Sequence, residues 1–198
     1  NSLSKKEMIC GFAEILKHSI IKDKKFFNWL EKNSRLIFLK KNKELTYAIK
    51  KSCEIKIYFV TKDLNEKGLR MILNFGHTFA HAIEVKNNYS KSITHGEAVL
   101  TGMILAIKLS ILKKNCTYKI LNQVRNLYVK NNLTHSLKNV SNSKWIQSLI
   151  PFLKQDKKND DDKINFLLLK DIGKADLPNK FKISTSDLRR HCKTISQY

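Results

Sequence analysis

Three of the six histidines in this chain fall between Arg70 and Gly102. His77 and His81 are four residues apart, which on a helix sets both imidazoles on one face. His95 opens the next apolar segment. Neutral imidazole is a good ligand for a zinc-like ion, and a catalytic metal takes about three protein ligands while keeping one position open. A lone pair of helix histidines is more often merely hydrogen-bonded; a third at a helix start tips the reading toward a metal site. Spacing alone selects His77, His81 and His95. The run from His77 to His81 lacks the glutamate of the HExxH pattern, so zinc-peptidase chemistry is disfavoured.

Two further groups carry charge. Glu14 and Lys17 lie outside the apolar arc of Met8, Phe12 and Leu16, and periodicity makes them a surface i, i+3 ion pair. Lys56 sits among Ile55, Ile57 and Tyr58, an odd setting for a surface lysine. With Glu66, Arg70 and Asn74, which precede the histidines, it could hold a carboxylate or phosphate. Taken without the histidines, these four read as a solvated loop.

The elements that must position these groups are mostly helices. Ser4 and Glu7 have capping-box spacing, and the apolar pattern after them predicts a helix to about Asp23. Short apolar periodicities predict helices over Phe26–Glu31 and Glu44–Val60. In the histidine helix, Phe75, Phe79, Ala82 and Ile83 take one side; His77, His81 and Glu84 follow i, i+4, i+7 on the other. Lys86–Ser92 reads as a polar loop. Thr94 and Glu97 repeat the capping-box spacing, placing His95 in the first turn of a helix through Leu112. That helix is apolar nearly all round, hence buried, and Ala98, Gly102 and Ala106 let a neighbour approach closely. Ile120–Val129 and Trp145–Leu153 read as helical, and Ser184 and Asp187 cap a short last helix. Ile164–Leu169 is the best strand candidate. The expected fold is mainly α, a multi-helix domain over residues 1–198 with at most a short strand near 164–169. No GxGxxG segment, and no other phosphate-cradling glycine loop, is present.

Composition narrows the class. The formal charge is +21, yet only five of the 38 basic residues are arginines. Nucleic-acid readers lean on arginine forks, so the lysine excess reads as a solvated surface that also attracts acidic substrates. Cys10, Cys53, Cys116 and Cys192 are far apart, with no CxxC, which argues against thiolate zinc and disulfides and for buried free thiols in a reducing cytosol. No apolar run approaches membrane-spanning length, and no signal peptide is evident. The chain starts at Asn1 without Met, which leaves room for an upstream portion.

The motifs taken together carry a resemblance. LRMILNFGHTFAHAIE (Leu69–Glu84) followed by THGEAV (Thr94–Val99) resembles the 3-dehydroquinate synthase family of the shikimate pathway. GFAEILKHSIIKD (Gly11–Asp23) matches that family's G-x-A-E-x-x-K segment. FLKQDKK (Phe152–Lys158) and FLLLKDIGKA (Phe166–Ala175) resemble its later blocks. The match is collinear over nearly the whole chain.

The resemblance implies a two-domain enzyme: an N-terminal Rossmann-like domain for NAD, absent from this chain, and the helical metal- and substrate-binding domain seen here. It implies conversion of 3-deoxy-D-arabino-heptulosonate 7-phosphate to 3-dehydroquinate and phosphate with NAD and a zinc or cobalt ion. Its metal ligands fall on Glu14, His77 and His95, which moves His81 to the substrate side. Lys17, Lys56, Glu66, Arg70, Asn74 and His81 match substrate-contacting positions, and either Lys157 or Lys158 matches the lysine of the DKK block. The complete enzyme is expected to be a cytoplasmic homodimer, without membrane or nucleic-acid partners, and the isolated domain to be inactive without the NAD domain. The chain departs from the family at Ala80, where glycine is usual, and at Asn159–Asp162, where a glycine turn is usual. The rival readings are another sugar-phosphate cyclase of the same superfamily and, from a different class, a basic helical nucleic-acid-binding module.

Overall fold

The computed structural model describes residues 2–90, 92–153 and 163–198. The first helix, α1 (Lys5–Lys22), starts at the expected capping box: the Ser4 hydroxyl accepts the Glu7 N–H and the Glu7 carboxylate accepts the Ser4 N–H. Asp23 ends α1 and caps α2 (Lys24–Phe38), whose N-terminal Phe26 N–H it accepts at 2.9 Å. Helix α2 runs past the predicted end at Glu31 to Phe38 because Ser34 and Ile37 continue the buried face of Phe26 and Leu30. Helix α3 (Asn42–Lys62) follows and packs with α1 and α2.

A 3-10 turn over Leu69–Asn74 leads into α4 (His77–Lys86). Next comes α5 (His95–Leu112), capped by Thr94 as predicted, with Gly96 and every residue from Ala98 to Ser110 buried. Helix α5 is long and apolar enough to cross a membrane by length and composition, contrary to the expectation that no run comes close; its surface is instead covered by the domain. It packs against α4 and α1, then against α6 (Tyr118–Lys130) and the later elements. Each buried Leu, Ile or Phe side chain in this core contributes about 1.5–3 kcal/mol.

The small residues of α5 set the approach of α4. A Cβ at Gly102 would lie 2.2 Å from the Gly76 carbonyl oxygen, so the two backbones touch there. Gly76 itself holds φ 80°, the left-handed turn that aims α4 across α5. Ala80 fills its place without clash: it is fully buried, with its N–H donated to the Gly76 carbonyl.

The Trp145–Leu153 segment is two short helices, α7 (Ser143–Gln147) and α8 (Ile150–Leu153). The described residues then hold four short strands rather than at most one. Strand β1 (Lys163–Phe166) pairs antiparallel with β4 (Phe181–Ser184), Lys163 opposite Ser184 and Phe166 opposite Phe181. Strand β2 (Leu169–Asp171) pairs with β3 (Lys174–Ala175). The β2–β3 hairpin is wedged between helices: the Gly173 N–H donates to Ile20 of α1 at 2.7 Å, and the Leu169 N–H to the Ser110 hydroxyl of α5 at 2.9 Å. Phe166 meets Phe79 of α4 at 5.0 Å between ring centroids, which holds β1 against the histidine helix. Helix α9 (Thr185–Gln197) closes the domain, capped by Ser184 as expected. All four cysteines are free, but only Cys192 is buried; Cys53 is exposed and the other two lie between.

Candidate metal centre and substrate recess

Helix α1 carries Glu14 one turn ahead of a buried polar run, Lys17, His18 and Ser19. The expected surface ion pair is present but is no surface feature. Lys17 Nζ donates to Glu14 Oε2 at 2.6 Å, and the Lys17 side chain is only 4% exposed. Helix α1 meets α2, α3, α5 and the β2–β3 hairpin, so it has more than one inward face. Oε2 is thus engaged, while Oε1 is buried without a hydrogen-bond partner and lies 3.7 Å from His77 Nε2. Burial pushes the Glu14 carboxyl up; Lys17, then His77 and His18, outweigh it, and the group stays below the ordinary carboxylate range.

His77 is the first residue of α4 and His95 the first of α5. A helix N-terminus disfavours positive charge, which suits neutral imidazole. Burial, then the Lys17 cation, pull His77 down to about 3, so it is unprotonated near neutrality. Its Nδ1 lies 3.4 Å from the Phe75 carbonyl oxygen, which turns Nε2 toward Glu14. The His77 and His95 rings are 5.5 Å apart between centroids. One ligand atom each from Glu14, His77 and His95 lies within 4.8 Å of the others, and this is the only such His/Cys/Asp/Glu group among the described residues.

His81, which spacing alone had placed in the cluster, is outside it. One turn further along α4, it is exposed and lines a neighbouring recess of about 270 Å³ together with Glu66, Asn74, His77, Asn165 and Asn179. A second recess shares Glu66 and Asn74 with the first and holds three cationic side chains, Lys17, Lys56 and Arg70, with His18 and Glu14 beside them. Asn74 Nδ2 donates to Glu66 Oε1 at 2.9 Å on the wall common to both. The loop that presents Arg70 is tied by Asp63, whose carboxylate accepts the N–H groups of Lys67, Gly68 and Arg70 at 3.1, 2.8 and 3.0 Å. The Arg70 N–H, chief among these, holds the Asp63 carboxyl below its usual range. Lys56 is exposed. Lys157 and Lys158 lie outside the described residues.

His18, Asp63, Glu84, Asn165 and Asn179 line or support the recesses without having been singled out. Three successive polar residues in the apolar run of α1 were the available signal for His18. Its Nδ1 meets the Ser52 hydroxyl at 2.7 Å, and burial, then Lys17, pull it to about 4. Glu84 stood on the polar stripe of α4 as the i+7 member; its Oε1 accepts from His95 Nδ1 at 2.8 Å. The rest come from loops and strands too short for a pattern.

A buried carboxylate oxygen with no donor and two imidazoles at one shared vertex make a donor set fitted to a divalent cation. Beside it lies a two-part polar recess, cationic at one end, of a size for a small anionic metabolite. Solved structures with this fold include 2-epi-5-epi-valiolone synthase from Streptomyces hygroscopicus with NAD+ and Zn2+ bound (TM-score 0.76, 21% identity, 99% of this chain and 53% of that one). They also include 2-deoxy-scyllo-inosose synthase complexed with carbaglucose-6-phosphate, NAD+ and Co2+ (TM-score 0.79, 23% identity, 98% and 53%). The chain therefore shares its fold with about half of each of these two synthases. Residues 11–159 match the 3-dehydroquinate synthase C-terminal family, and the chain belongs to that family. The 3-dehydroquinate synthase of Pelagibacter ubique is 42% identical over 188 residues, 95% of this chain and 51% of the relative. That of Dictyoglomus thermophilum is 40% identical over 177 residues, 89% and 48%. The chain spans about half the length of the curated relatives it matches.

Proposed function

We propose that this chain is the metal- and substrate-binding half of a 3-dehydroquinate synthase, acting on 3-deoxy-D-arabino-heptulosonate 7-phosphate in the shikimate pathway. The observation that carries the reading is the orphaned Glu14 Oε1 facing His77 Nε2, with His95 at the same vertex. Glu14, His77 and His95 would hold a zinc or cobalt ion, which when bound polarises substrate oxygens and lowers hydroxyl pKa values.

The remaining steps belong to side chains. Lys17 keeps the Glu14 carboxylate ionised and turned, with one oxygen engaged and the other free. Its own pKa is pulled below the ordinary lysine value by burial, against the opposing pull of Glu14. Arg70, Lys56 and Asn74 orient the substrate carboxylate and hydroxyls; the planar guanidinium suits a carboxylate because it binds both oxygens at once. Glu66 fixes the Asn74 amide. His81 favours the phosphate end, with Lys157 or Lys158. This chain has no GxGxxG phosphate loop, and the NAD site falls mainly to a separate domain. An NAD-binding domain joined to this half, a homodimer and a cytoplasmic location belong to the same proposal, and so does inactivity of these 198 residues by themselves.

Calorimetric titration of the zinc-loaded chain with 3-deoxy-D-arabino-heptulosonate 7-phosphate tests the substrate. Saturable binding, much tighter than that of a sugar phosphate lacking the carboxylate, is expected. Equal affinity for both would favour another sugar-phosphate cyclase.

A further inference from the structure

The two imidazoles at the vertex are held differently. His77 is mostly buried, its Nδ1 toward a backbone carbonyl. The His95 side chain is 48% exposed, so packing does little to fix its ring; the Glu84 side chain that meets it is 16% exposed. Glu84 belongs to the last turn of α4 and His95 is the first residue of α5, eleven positions apart across a polar loop. Helix α4 thus carries His77 on its first turn and, two turns on along the same stripe, the carboxylate that touches the other imidazole.

We propose that Glu84 is a positioning residue for His95: by accepting Nδ1–H at 2.8 Å it fixes the tautomer with a bare Nε2 and turns that atom toward Glu14 and His77. This inference rests on the metal reading above. The physical reason is general. An imidazole ligates through whichever nitrogen lacks the proton, and a carboxylate on the other nitrogen selects the tautomer, steers the ring and raises its basicity. Glu84 itself is not a ligand in this account. It converts an exposed, freely rotating ring into a directed donor, a task the backbone carbonyl of Phe75 performs for His77.

Zinc dissociation constants of the full chain, measured by chelator competition, test the idea together with the tautomer of His95 in the zinc-free chain. Glu84→Ala should weaken zinc binding by about 10- to 100-fold. Glu84→Gln, which keeps an acceptor at the same reach, should recover most of that loss. Nitrogen-15 spectra of the unsubstituted chain at about pH 8, where an ordinary histidine is neutral, should place the His95 proton on Nδ1. A proton on Nε2, or an unchanged zinc constant in Glu84→Ala, would overturn the positioning role. His77→Ala separates the two readings. If the unsubstituted chain takes up zinc and His77→Ala does not, a failure at Glu84 leaves the metal site standing; if the unsubstituted chain takes up none, both readings fall.

Discussion

The division of labour within a single carboxylate is the most consequential feature at the scale of residues. Glu14 Oε2 is engaged by a buried lysine while Oε1 is left facing an imidazole. A surface ion pair would contribute little and leave both oxygens to water. Burial changes that, because an unpartnered oxygen in the interior is a standing cost that a cation removes. Arg70, by contrast, lies in the 3-10 turn clamped by Asp63 and is not one of the metal group. Arg70→Lys should therefore weaken substrate binding by about tenfold or more, the loss of one bidentate contact, with zinc affinity unchanged. Calorimetry with each ligand in turn checks this, and equal losses of both would contradict the assigned role. His18 supplies a second expectation. Its folded pKa is depressed to about 4, so the unfolded chain binds the proton first as pH falls. Its contribution to stability is complete above the ordinary histidine value and is lost as pH drops from there toward 4. Urea midpoints of His18→Asn should fall less steeply with acid than those of the unsubstituted chain.

At the scale of elements, the contact between α4 and α5 positions everything else. Gly102 and Gly76 bring the two backbones together, and each helix begins with one histidine of the cluster. Gly102→Ala forces its methyl onto the Gly76 carbonyl and should cost about 1–3 kcal/mol. Gly11→Ala is the opposite case: no atom lies within 4 Å of the added carbon, and alanine in a helix interior should add about 0.5–1 kcal/mol. Thermal melting of the two variants should move in opposite directions. The two capping boxes and the all-round apolar run of α5 were legible in the sequence because each is a local signal with a fixed spacing. The burial of Lys17 and His18 was not, because periodicity assumes one inward face and α1 has several. The β2–β3 hairpin escaped for another reason: strands of three and two residues are too short to show alternation. In the sequence, Glu14 was legible as a ligand only through family resemblance, and the spacing argument for His81 failed because one helical turn carried that ring into the adjoining recess.

At the scale of the whole molecule, Lys108 joins the core helix to the far end of the chain. It is fully buried on α5, donating to the Val140 carbonyl at 2.5 Å and reaching the Ser196 carbonyl of α9 at 3.5 Å. Burial, then the nearby Arg125 cation, pull its pKa from 10.5 to about 8. Between those values the unfolded chain holds the proton and the folded chain has released it. Stability should therefore rise with pH across that window, by roughly 3 kcal/mol from this group, and no further above it. Lys108→Met should lack the rise; denaturant midpoints at about pH 7 and pH 10 make the comparison. The same scale governs the high lysine content. A charge of +21 spread along the chain is a field that draws anionic ligands in.

The account stands on three side chains from separate helices sharing one ion. Metal content after dialysis against zinc, measured by elemental mass spectrometry, reads this directly. One equivalent of zinc per chain is expected, with almost none retained by Glu14→Gln, His77→Ala or His95→Ala and full retention by His81→Ala. Stoichiometric zinc in a folded His95→Ala chain, or its loss on removing His81 instead, would contradict the account.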